Sequence, residues 1–110
     1  MIEQTISEIE AKVRGAESVG DQPKRELLEL LGKLKAEVGT LAQTHGEQAD
    51  SIANFAKLSA LEATRTEPNP QLRELSNQGL ISSIEGFEKS HPKLVQVVNS
   101  ISSTLANLGI

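Results

Sequence analysis

A chain of 110 residues is long enough for one ordinary domain and too short for two. Thirty residues are Leu, Ile, Val or Phe and ten are Ala, while Phe55 and Phe87 are the only aromatics, so the chain can fold around an aliphatic core but has few platforms for stacking bases, sugars or flat cofactors. The net charge of −4 is dispersed, with Lys24, Arg25, Lys33 and Lys35 interleaved among Asp21, Glu26, Glu29 and Glu37, which argues against nucleic acid as a partner, and the lack of cysteine excludes disulfides and thiolate metal sites.

The first predicted element is a helix over about 2–14, where Ile2, Ile6, Ile9 and Val13 recur at spacings of four, three and four. The stretch GAESVGDQP ends it. This stretch has the two glycines of a phosphate loop, but Asp21 and Gln22 stand where Lys and Ser or Thr are needed, so it reads as a linker. Asp21 or Gln22 can cap the next helix, with Pro23 tolerated in its first turn. The start MIEQTISEIEAK has neither the basic opening nor the apolar run of a secretion signal, which makes the cytoplasm the expected location.

From there Leu27, Leu31, Leu34, Val38 and Leu41 form a heptad seam that passes through His45 and Gln48 and becomes apolar again at Ile52 and Phe55. A stripe of small residues accompanies it: Gly32, Gly39, Gly46, Ala53 and Ala60 lie seven apart, as do Ala42, Ala49, Ala56 and Ala63. Together they make an apolar arc of roughly 160°, enough to contact two neighbouring helices. The unbroken register favours one helix over 21–65, which would be roughly 65–70 Å long and would need a partner to cover it. A break near 44–47, within THGEQ, is the alternative. Leu27, Leu31, Leu34, Val38, Leu41, Gly46, Ala49, Ile52, Ala53, Phe55 and Ala56 are therefore the expected self-association residues, most simply of a homodimer, although another protein could be the partner.

TEPNPQ must interrupt the chain; Asn69 is a good N-cap and Pro70 a good first residue for a helix expected over 70–89, with Leu72, Leu75, Leu80, Ile84 and Phe87 on its apolar side. The last helix, 92–108, carries Leu94, Val98, Ile101, Leu105 and Leu108 and is expected to stop at Gly109. Residues 94–110 contain no charged side chain, but seven polar residues interrupt them and no Lys or Arg lines a polar face, so they read as a buried helix rather than a membrane segment. Glu8 with Lys12, Glu10 with Arg14, Glu29 with Lys33 and Glu85 with Lys89 are spaced as helix-stabilising pairs, each adding about 0.2–0.5 kcal/mol. No segment alternates as a strand would. The expected fold is all-α: an elongated, coiled-coil-like bundle of four to five helices with a C-terminal helical hairpin.

The chemistry is sparse. His91 precedes Pro92, which pushes it out of the helical region, so Phe87, Glu88, Ser90, His91 and Pro92 read as a helix corner, with Ser90 or His91 as the cap. His45 lies on the seam, 46 residues away, and no HExxH motif, nucleophile elbow or set of three metal ligands is present. No catalytic residue, metal or cofactor is expected.

Phe87, Glu88, Ser90, His91 and Pro92, followed by apolar heptads and by Leu108, Gly109 and Ile110, resemble the closing signature of a family of short all-helical bacterial proteins of unknown function. The resemblance covers about thirty residues specifically. It implies a small, cytoplasmic, all-helical bacterial protein and no particular activity. The function expected is that of a non-enzymatic, self-associating structural or adaptor protein. The alternative is a small ligand- or metal-binding bundle that uses His91 and His45.

Overall fold

A computed structural model describes residues 2–108, and their regular structure consists of five helices: α1 (Ile2–Gly15), α2 (Asp21–Ala42), α3 (Gly46–Ala63), α4 (Pro70–Ser83) and α5 (Pro92–Asn107). The expected stop at Gly109 lies outside the described residues. The all-α class and the closing hairpin of α4 and α5 agree with the sequence reading. The single helix over 21–65 does not form. The chain leaves the helix at Gln43–His45, and the bundle is 38 Å in its longest dimension with a radius of gyration of 12.9 Å, so it is compact rather than elongated.

The physical reason is burial. Thr44 and His45 donate their backbone N–H groups to the Leu41 carbonyl, and His45 adopts φ −136°, ψ 63°, outside helical geometry. Folding there turns the Ala49, Ile52, Ala53 and Ala56 stripe of α3 onto the same core that the Leu27–Leu41 seam of α2 enters. Two helices whose apolar phases match across a short break give the same periodic pattern as one continuous helix. Periodicity alone cannot distinguish them.

α3 packs against each of the other four helices, and its small residues at 49, 53, 56 and 60 let their backbones approach. Gly32 of α2 does no such work: a Cβ there would meet nothing within 4 Å. α1 inserts Ile6, Ile9 and Val13 into the core. Glu8 and Glu10 pair across helices instead of along their own: Glu10 accepts from Lys35 on α2 at 2.8 Å, and Glu8 from Lys57 on α3 at 2.8 Å. Glu29 and Lys33 do form the expected pair along α2, at 3.9 Å. The cap of α2 is Gly20, which leaves Asp21 in the first turn, where its charge suits the helix dipole.

Asn69 caps α4 as expected, its side-chain oxygen accepting from the Gln71 and Leu72 N–H groups at 3.1 and 3.2 Å, with Pro70 as the first helical residue. The helix ends at Ser83, six residues before the expected Lys89. Ile84 and Phe87 still pack on the core, but from a turn in which Gly86 takes φ +95°, a conformation that an L side chain rarely adopts. Glu85 and Lys89 therefore do not share a helix. α5, which carries no charged side chain after Lys93, buries Leu94, Val98, Ile101 and Leu105 against the bundle, and no helix among the described residues is long and apolar enough to cross a membrane.

Candidate functional site

Of the expected self-association residues, Leu27, Leu31, Leu34, Val38, Leu41, Ala49, Ile52, Ala53 and Ala56 are buried within the chain's own core, so the seam is covered without a second copy. Gly46 is exposed at the start of α3. Phe55 is the exception among the large side chains: it remains 38% exposed, and its ring lies over Gly79 of α4, where a Cβ would collide with it.

That close approach marks the outer margin of the α3–α4 seam. Leu58 follows Phe55 by one turn of α3, and Leu72 and Leu75 precede Gly79 on α4; a hydrogen bond from Ser59 Oγ to the Ser76 carbonyl, 2.8 Å, ties the two helices beside them. Leu58, Leu72 and Leu75 are 43%, 45% and 57% exposed. With Phe55 they are the large apolar side chains that the described residues leave most open to solvent. On the sequence Leu72 and Leu75 looked like core, because the spacing of an apolar stripe does not say which part of it a neighbouring helix covers.

The histidines meet. His45 caps α3 and His91 caps α5 with nearly identical backbone angles, φ −136°, ψ 63° and φ −137°, ψ 63°. Each Nδ1 is hydrogen-bonded to the preceding hydroxyl, Thr44 Oγ1 at 2.7 Å and Ser90 Oγ at 2.9 Å, so neither imidazole nor Ser90 caps its helix through a side chain. The two rings are 6.1 Å apart, and Phe87 stands edge-on to both at 5.5 and 5.6 Å. Glu88 turns away from them, its carboxylate accepting the Gly86 N–H at 3.1 Å, which closes the turn. Pro92 opens α5. Among the described residues no three His, Asp or Glu side chains gather as a metal site.

A third feature was not legible in the sequence. Polar burial is concentrated where α3, α4 and α5 meet: Ser59, Ser76 and Ser102 are buried, Ser102 Oγ donates to Asn77 Oδ1 at 2.8 Å, and Asn77 Nδ2 donates to the Ser102 carbonyl at 3.2 Å. At the end of α3, Glu62 is 4% exposed and takes a two-pronged contact from Arg65, Nε at 2.9 Å and Nη2 at 3.2 Å, which raises the guanidinium's pKa above its ordinary value through the hydrogen bond and then through charge. Scattered Ser, Asn and Arg residues have no spacing signature, so only the packing of three helices reveals the cluster.

The family described as a domain of unknown function, DUF4404, matches residues 27–110. No curated protein and no solved structure matches the chain.

Proposed function

We propose that this chain, which belongs to the DUF4404 family of unknown function, is a non-enzymatic helical protein of the bacterial cytoplasm that pairs with a second copy of itself and serves as a structural or adaptor element. The observation that carries this reading is the exposed margin formed by Phe55, Leu58, Leu72 and Leu75. Side chains of this size, grouped on adjacent helices, make an apolar patch of the kind that marks interaction surfaces. A patch repeated on a second copy needs no other partner to cover it, and twofold pairing brings the same residues together from both sides. This interface replaces the Leu27–Leu41 seam, which the fold uses internally.

Sedimentation velocity at tens of micromolar should show a dimer. Leu75→Glu should weaken it at least about tenfold by forcing a carboxylate into the contact. Because Leu75 is largely exposed, the variant should keep the thermal stability of the wild-type monomer. A wild-type protein that sediments as a monomer throughout this range would exclude the reading.

A second reading is favoured by the approach of His45 to His91: a small ligand or metal held between the two caps, with Nδ1 of each ring oriented by a hydroxyl. It predicts that zinc added in excess shifts the ring-proton resonances of both histidines together and that His91→Ala abolishes the shift at His45. Independent responses of the two rings would sink it.

A further inference from the structure

The groove between α3, α4 and α5 holds a cation that the fold does not satisfy. Arg73 projects from the first turns of α4, donates from Nη2 to the Leu105 carbonyl at 3.3 Å, and has its Nε buried without a hydrogen-bond partner. No carboxylate of the described residues forms an ion pair with it. A guanidinium has donors and no acceptor, and a buried N–H without an acceptor is the exception in folded proteins.

The surroundings say what could complete it. Arg73 lines a groove of about 690 Å³, within the range of roughly 300–1,000 Å³ that small-molecule sites occupy. Ala63, Pro70, Ile81, Leu105 and Ala106 give the groove apolar walls. Pro70 and Ile81 are eleven residues apart on α4, so the groove runs about 16 Å along it. Of its other polar side chains, Asn77 and Ser102 engage each other, Ser59 engages the Ser76 carbonyl, and Gln78 engages Glu74 through a 3.3 Å bond from Nε2 to Oε1, while Ser82 adds a neutral hydroxyl to the wall. Arg73 is the cation of the lining, and its Nε has unused capacity. We propose that this groove binds a monocarboxylate with an aliphatic body, the carboxylate taking the Nε edge of Arg73 after a small rotation of its side chain and the body lying along α4 and α5.

One cation matches one negative charge. The planar fork of the guanidinium suits a carboxylate, whereas a phosphate dianion would call for a second cation, which the lining lacks, and would add a second negative charge beside Glu74, which also lines the groove. The proposal is independent of pairing through Phe55 of α3 and Leu75 of α4, neither of which lines the groove.

The test is an NMR titration of the full chain, labelled so that the arginine Nε–Hε signals are resolved, with octanoate, octanamide and inorganic phosphate as probes. Octanoate should move the Arg73 signal saturably at low-millimolar or lower concentration, and octanamide should bind at least about tenfold more weakly because it lacks the charge. In Arg73→Gln, octanoate should bind no better than octanamide. Equal binding of octanoate and octanamide to the wild type would overturn the proposal, a comparison that needs no variant to fold. Tighter binding of phosphate than of octanoate would overturn the assigned ligand class, and an Arg73 signal unmoved by octanoate would overturn the site.

Discussion

Leu34→Ala should lower the folding stability by about 2–5 kcal/mol, and by the same amount at every protein concentration. Leu34 is fully buried in α2 and belongs to the core formed with α1, α3 and α5. Removing its branched end takes away buried methyl groups and leaves a cavity that surrounding helices fill only in part. The concentration clause separates the two roles the heptad seam could play. A seam paired with a second copy would gain stability by mass action, so the penalty would change on dilution. A seam buried within the chain has no such dependence. Urea unfolding of wild type and variant at two concentrations a hundredfold apart measures both quantities; a penalty that varies between them would return the seam to an intermolecular role.

Ala53→Leu tests the opposite fault. Ala53 is 2% exposed on α3, and three added carbons must enter space already taken by side chains of neighbouring helices. Overpacking of this kind costs about 1–3 kcal/mol. For a chain of this size each kcal/mol lowers Tm by ~4–8 °C, so a fall of several degrees or more should appear in a thermal melt. An unchanged melting temperature would mean that α3 can shift outward at no cost and that its small residues do not set the helix spacing.

These two residues also show how far the sequence could be read. The identity of the core was plain from spacing: Leu27 through Leu41, Ile6 with Ile9 and Val13, and Leu94 through Leu105 are buried as their periods require. What spacing left open was the partner. A stripe specifies that something covers it, and the corner at Thr44–His45 decides that the cover is the same chain. Asn69 and Pro70 were legible because a cap and a first-turn proline act through local backbone geometry. The end of α4 was not, because Ile84 and Phe87 keep the apolar rhythm while Gly86 redirects the backbone. His45 and His91 were visible as residues but not as neighbours, since 46 positions of sequence separate what two turns bring within 6.1 Å. Arg73 carried no signal at all. Its significance lies in the carbonyl of Leu105, more than thirty residues away, and in the acceptor that its Nε lacks.

The central place of α3 has a consequence for how the molecule comes apart. Every other helix rests on it, and its Ala49, Ile52, Ala53, Ala56 and Ala60 supply the floor of the core that the others roof. The arrangement is that of a hub with spokes: fraying at the end of a spoke should leave the others in place, whereas release of α3 should open the core to all four. Cooperativity is built into the chain order itself, because the helix that everything leans on lies in the middle of the sequence.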